Sequence, residues 1–181
     1  MGLYFSKGKN VVLRPLLSRD ITDDYLSWFN DPEVSMYSRR RLFPTNEWQA
    51  KEYLLQGQVD GAILAICNNE GKHVGNIKFG PINWVHRSTE IMIIIGDKKE
   101  WGKGYAREAM YLIAKHLFNV LGLHRIEAGT VNPAFLTAVE KLGWKREGTF
   151  REAYFLNGRF KDIVRVSLLH HEFIERAEFE S

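Results

Sequence analysis

The sequence predicts a mixed α/β (α+β) layer fold, a central and mostly antiparallel sheet of about seven strands flanked by about four helices. Three observations carry this. Apolar runs at residues 62–67 and 73–79 are joined by Asn68-Asn69-Glu70-Gly71-Lys72, whose Asn and Gly residues tolerate the positive φ of a tight hairpin connection. From residue 90 to residue 143 a strand, a glycine-bearing loop, a long amphipathic helix, a strand and a short helix follow one another, the alternation of a layered sheet. Near the end, Asn157-Gly158 separates two long runs and is the strongest short hairpin signal in the chain.

Taken in order, Asn10-Val11-Val12-Leu13-Arg14-Pro15-Leu16 is rich in β-branched residues and reads as the first strand. Thr22 offers a cap for a helix over 23–30, which stops at Asn30-Asp31 because Pro32 disfavours helical backbone in the residue before it. A second helix is expected to about Gln56, with Thr45 as cap and Trp48 as its third residue, a frame in which the capping box lacks its Glu. Residues 90–95, Glu-Ile-Met-Ile-Ile-Ile, have the nearly unbroken apolar character of a strand covered on both faces at the sheet centre. Ala106, Ala109, Met110, Ile113, Leu117, Val120 and Leu121 recur at helical spacing and mark the longest helix. A strand over 125–131 follows, then a short helix with Phe135, Ala138, Val139 and Leu142 on one face and Gly143 at its end, then antiparallel strands over 144–156 and 159–169.

With 181 residues, 45% of them apolar, and no Pro/Ser/Gly-rich linker, residues 1–181 read as one domain. The net charge of +3 is spread too thinly for a nucleic-acid binder, apart from Arg39-Arg40-Arg41 and a looser group over 141–151, but suits a phosphorylated small molecule. A lone cysteine, Cys67, lies in an apolar run and reads as a buried inert thiol in a reducing compartment. No stretch is long and apolar enough to span a membrane, and no signal peptide is recognisable, so a cytoplasmic protein without membrane or nucleic-acid partners is expected, as monomer or homodimer. The opening Met1-Gly2-Leu3-Tyr4-Phe5-Ser6 fits a loose myristoylation pattern, read as coincidence. His170-His171-Glu172 lacks a further ligand at metal spacing, and no metal is expected.

The chemistry is expected at Ile93, Ile94, Ile95 and the following Gly96-Asp97-Lys98-Lys99-Glu100-Trp101-Gly102-Lys103-Gly104-Tyr105-Ala106-Arg107. A glycine-bearing loop here feeds a helix N-terminus, where free N–H groups and the helix dipole favour an anion. Gly102 and Gly104 let a ligand approach the backbone, Ala106 keeps the first turn open, and Lys103 and Arg107 can add charge. Walker A spacing fails because Gly104, not Ser or Thr, follows Lys103, and a Rossmann fingerprint fails at Arg107.

Trp101-Gly102-Lys103-Gly104-Tyr105-Ala106 resembles the cofactor loop of the GNAT superfamily of N-acetyltransferases, Arg/Gln-x-x-Gly-x-Gly/Ala after a central strand, with Trp101 in place of Arg or Gln as in the branch that includes ribosomal-protein N-terminal acetyltransferases. Asn132 and Glu140-Lys141-Leu142-Gly143-Trp144-Lys145-Arg146-Glu147-Gly148 resemble the family's Asn…Glu-Lys-x-Gly-Phe…Glu-Gly segment, and Trp28-Phe29-Asn30-Asp31-Pro32-Glu33-Val34 looks like an acceptor-side element. The resemblance implies a GNAT fold with acetyl-CoA as co-substrate and no metal. Pantetheine lies where Ile93, Ile94 and Ile95 splay from the next strand, the pyrophosphate sits on Gly102 to Ala106, with Trp101 also placed among the cofactor-binding residues, and Asn132 bonds the pantetheine arm. A donor near Ile95 polarises the thioester.

The acceptor is a primary amine, taken as a protein N-terminal α-amine, with an amino-sugar nucleotide as alternative. Polyamines call for an acidic pocket that the sequence does not display. Glu90 is the expected base, with partial burial raising its pKa. Phe135 and Val139 stand where the family often has Ser or Tyr as acid, leaving Thr137 and Tyr154 as substitutes or no acid at all. Readings of other classes are a non-enzymatic acyl-CoA-binding module and a nucleic-acid binder.

Overall fold

The computed structural model describes residues 4–180. The myristoylation-like start therefore has its Met1, Gly2 and Leu3 outside the described residues. Eight strands form one sheet: β1 (Ser6–Lys7), β2 (Val11–Pro15), β3 (Ala62–Asn68), β4 (His73–Asn83), β5 (Ser88–Ile95), β6 (Arg125–Thr130), β7 (Lys145–Leu156) and β8 (Arg159–Leu169). Their spatial order is β1-β2-β3-β4-β5-β6-β8-β7. All neighbours are antiparallel except β5 and β6. The eighth strand is the two-residue β1, too short to leave a periodic signal.

Four helices pack on this sheet: α1 (Asp23–Asn30), α2 (Glu47–Gln56), α3 (Tyr105–Asn119) and α4 (Pro133–Glu140). α1 is capped by Thr22, whose side chain accepts from the Tyr25 N–H, and ends at Asp31 in extended backbone before Pro32, as the sequence indicates. α2 corrects the expectation by one residue. Asn46 is its cap, and Gln49 reaches back to the Asn46 N–H while Asn46 accepts from the Gln49 N–H, a complete capping box in the shifted frame. Thr45 instead donates its N–H to Asn30 Oδ1 at 2.8 Å and is buried.

Alternation along the strands sends their side chains to two cores. Leu64 and Ile66 of β3 join Val11, Leu13, Ile77 and Ile91 beneath α3 and α4. Ile63, Ala65 and Cys67 face the other way, into a smaller core with Tyr25, Trp28 and Phe29 of α1 and Ala50 and Leu54 of α2. Cys67 is buried, and burial pushes its thiol up from the ordinary range. The closing hairpin turns at Asn157 and Gly158, both at positive φ, and its β7 strand is largely exposed. No helix among the described residues is long and apolar enough to cross a membrane.

Candidate active site

The site begins where two strands part. Parallel pairing of β5 with β6 runs through Ser88↔Arg125, Thr89↔Ile126 and Glu90↔Glu127 and then stops, although β5 continues to Ile95 along β4. The Gly96 N–H donates to the Val74 carbonyl at 2.9 Å. Because antiparallel strands point alternate residues' amide groups to opposite sides, the main-chain groups of Ile93 and Ile95 face the β6 side, into the gap. The side chains of Ile93 and Ile95 pack on the α3 core and that of Ile94 on the α1 core. Met92, expected to be covered, is 45% exposed.

Trp101 fixes the far side of the gap. Its Nε1–H donates to the Ile95 carbonyl at 2.8 Å, tying the loop to the end of β5. Gly102 and Gly104 have φ of 77° and 86°, and a Cβ at either would meet no protein atom within 4 Å. Glycine is thus selected here by backbone conformation and leaves open space in front of the loop. Gly104 caps α3 without a side-chain bond, and the first helical bond is from the Glu108 N–H to the Gly104 carbonyl at 3.1 Å. The N–H groups of Tyr105, Ala106 and Arg107 are consequently free of intrahelical partners at the positive end of a 15-residue helix. The helix is anchored from behind by buried Glu108, which accepts from the Asn10 N–H at 2.7 Å, from Asn10 Nδ2 at 2.9 Å and from the Val11 N–H at 3.2 Å.

Other expected contributors are placed less simply. Lys103 Nζ lies 2.7 Å from Glu100 Oε2, and Arg107 lies over the Phe179 ring at 5.2 Å, so both added charges have partners of their own. Asn132 caps α4, its Oδ1 accepting from the Ala134 N–H at 2.9 Å, which leaves only its amide NH2 to donate to a ligand. Glu90 is partly buried, as expected, but it is not alone. Its side chain is 42% exposed and pairs with Arg165 Nη1 at 2.7 Å. Arg165 also approaches Glu127 Oε2 at 3.6 Å, bridging the two carboxylates at the point where the strands separate. Gly129 makes this possible, since a Cβ there would stand 2.7 Å from Arg165 Nη1. Arg165 was missed because only the antiparallel pairing of β6 with β8 brings it to Glu90.

No acid emerges from α4. Val139 is fully buried, and exposed Thr137 donates its hydroxyl to the Pro133 carbonyl at 3.1 Å. The Tyr154 hydroxyl is buried without a hydrogen-bond partner, and the ring lies 5.8 Å from the Arg41 guanidinium. Trp28, in the segment read as an acceptor-side element, belongs to the core and packs against Gly96, while Trp48 and Trp84 are exposed. Phe43 lines a cleft of about 530 Å³, together with Phe29, Asn30, Met36, Arg41 and Leu156, between the end of α1 and the β7–β8 turn. His170 and His171 lie in a 3-10 turn after β8, and no metal-binding group of three or more ligands occurs among the described residues.

A parallel strand pair that splays beside a glycine loop and an uncapped helix N-terminus is the arrangement that the resemblance to the acyl-CoA-dependent N-acetyltransferases implies. Residues 10–145 match the acetyltransferase (GNAT) domain, and the chain belongs to that family. Its fold is the GNAT fold, and acetyl-CoA is its co-substrate. The chain is similar to the spermidine N(1)-acetyltransferase of Escherichia coli K12, 26% identical over 176 residues covering 91% of this chain and 89% of that one. The Vibrio cholerae spermidine N(1)-acetyltransferase is 34% identical over 107 residues, 58% of this chain and 61% of the relative. A putative ribosomal N-acetyltransferase of Bacillus subtilis 168 is 27% identical over 150 residues, covering 82% and 78%. Among solved structures, spermidine N-acetyltransferase from Vibrio cholerae in complex with CoA and spermine superposes with a TM-score of 0.81 at 25% identity, over 90% of this chain and 96% of that one.

Proposed function

We propose that this acetyltransferase works by direct attack of a neutral primary amine on the thioester of acetyl-CoA lying in the gap between β5 and β6. The observation that carries the reading is the end of strand pairing at Glu90↔Glu127, which leaves the Ile93 and Ile95 main chain facing a gap that leads to the free N–H groups of α3. Pantetheine extends along Ile93, Ile94 and Ile95, the Ile95 N–H donates to the thioester carbonyl and stabilises the oxyanion, and the pyrophosphate rests on Trp101, Gly102, Lys103, Gly104, Tyr105 and Ala106. The Asn132 amide NH2 donates to the pantetheine arm. Glu90 takes the amine proton, positioned by Arg165, and the thiolate leaves without a protein acid.

The sparse acid–base equipment bears on the acceptor. An alkyl amine with pKa about 10.4 is almost wholly protonated at neutral pH, whereas an α-amine at about 7.7–8.0 needs little help. A site with one ion-paired carboxylate and no acid suits the weaker base: a protein N-terminal α-amine or the amine of an amino sugar. A second reading, a polyamine acceptor, is favoured by the names of the spermidine acetyltransferases to which the chain is similar. Steady-state kcat/KM against pH, with an N-terminal peptide, glucosamine and spermidine, separates them. The proposal expects the first two to be turned over at pH 7, and spermidine alone as substrate would establish the second reading.

A further inference from the structure

We propose that the acceptor carries phosphate as well as its amine, and that Arg40 and Lys78, with Arg41 beside them, bind it. This deepens the reading above and rests on it. Lys78 of β4 stands opposite Met92 of β5 in register, two residues along from Glu90 and on the same face. Its Nζ lies 5.0 Å from the centre of the Tyr53 ring, and the Arg40 guanidinium lies 3.8 Å from the same ring and 5.0 Å from that of Phe29. Two half-buried cations thus converge on one side chain of α2, beside the exposed stretch of the strand that carries Glu90.

Neither cation has a counter-ion. Among the described residues, Lys78, Arg39, Arg40 and Arg41 pair with no carboxylate; the other unpaired lysines, Lys7, Lys9, Lys99, Lys141 and Lys161, are exposed, whereas Lys78 and Arg40 are half-buried. Tyr53 does not supply the charge, because burial raises its hydroxyl above the ordinary range and keeps it neutral. Holding like charges half-buried and unpaired is unfavourable, and a bound anion removes the cost. Arg41 extends the patch into the cleft of about 530 Å³: one guanidinium nitrogen donates to the Phe155 carbonyl, but its buried Nε has no partner. The one carboxylate lining that cleft, Glu33, is held by Lys98 at 2.7 Å. Guanidinium groups match phosphate oxygens in planar geometry; Arg41 lines the cleft, and Arg40, which does not, adjoins it through Phe29, the cleft-wall ring that it overlies. A polycation would meet this patch with its own sign of charge.

The test measures kcat/KM with acetyl-CoA for UDP-glucosamine, glucosamine 6-phosphate, glucosamine, spermidine and a peptide with an acidic second residue, on wild type and on R40Q, K78Q and R40Q/K78Q. The expected result is at least a tenfold preference for a phosphorylated amine over glucosamine, expressed in KM, that falls to within twofold in R40Q/K78Q while acetyl-CoA affinity stays as in wild type and Tm does not fall. A preference for spermidine or for the acidic peptide, no turnover of either phosphorylated amine, or a phosphate preference that survives in the double variant overturns the inference. Failure of wild type to bind acetyl-CoA by calorimetry would instead bring down the proposed cofactor site, so the two outcomes are told apart.

Discussion

At the residue scale the site is organised by a few side chains whose partners are remote in sequence. Glu90 is held by Arg165, seventy-five positions away, and Arg165 can lie across β6 only because residue 129 has no side chain. Replacing Glu90 by Gln keeps the shape and removes the proton acceptor, so kcat should fall by roughly 100-fold or more while acetyl-CoA affinity stays within about twofold. An unchanged kcat would remove Glu90 from the mechanism. Gly129→Ala should lower kcat in the same direction without weakening the cofactor, because the added methyl displaces the guanidinium and not the cofactor loop. Trp101→Phe acts on the other side of the gap. It deletes the bond to the Ile95 carbonyl, a net loss of about 1 kcal/mol, and should raise the acetyl-CoA Kd by roughly fivefold in a calorimetric titration. The same bond gives a physical account of the Trp that departs from the family pattern: its ring nitrogen staples the loop to the strand end.

At the element scale the sequence was most legible where periodicity and turn chemistry are local. The boundaries of α1 follow from Thr22 and Pro32, and the closing hairpin from Asn157-Gly158. The α2 cap was misplaced by one because Thr45 and Asn46 are both good caps, and only the tertiary bond from Thr45 to Asn30 decides between them. The splay of β5 from β6 leaves no mark in composition and entered through family resemblance alone; likewise the cation pair on Tyr53 exists only once α2 is laid against β4. The cofactor loop offers a controlled test of an element. Gly71 and Gly104 have φ of 80° and 86°, each with open space where a Cβ would go. Alanine at either position should destabilise the fold by a similar amount, about 1 kcal/mol, from the left-handed backbone alone. Only Gly104→Ala should also weaken acetyl-CoA, by about tenfold or more, since its methyl enters the space before the α3 N-terminus. Equal affinities in the two variants would mean that the loop does not touch the cofactor.

At the scale of the whole molecule, the two cores lie on opposite faces of the sheet, and the smaller one ties α1 to β4 through a buried polar cluster. His73 Nε2 faces both the Gly75 carbonyl at 2.9 Å and Asn76 Oδ1 at 2.8 Å, so this nitrogen carries the proton and donates to them. Asn76 in turn donates to the Tyr25 hydroxyl at 3.3 Å, which burial pushes up to about 12 and keeps neutral. Burial lowers the pKa of His73, and also that of His116 beneath Phe5, favouring neutral imidazole in the folded state. In the unfolded chain both titrate near the ordinary value of about 6.5. The unfolded state therefore binds more protons below that pH, and the stability that these histidines contribute is complete above about 6.5 and is lost as pH falls through their folded values. A separate acid step follows from Glu147, held down at about 2 mainly by its hydrogen bonds with Arg125, whose contribution is complete above about 4.5 and fades only below it. Thermal unfolding between pH 8 and pH 4 should accordingly show Tm level above about 6.5 and declining below it before the carboxylates begin to titrate. His73→Gln, which retains a donor toward Gly75 and Asn76, should make the decline between pH 6.5 and 5 shallower but not abolish it, because His116 remains. A decline of the same slope in H73Q would show that the cluster beneath α1 does not sense protons, and that the acid sensitivity of the fold arises elsewhere in the chain.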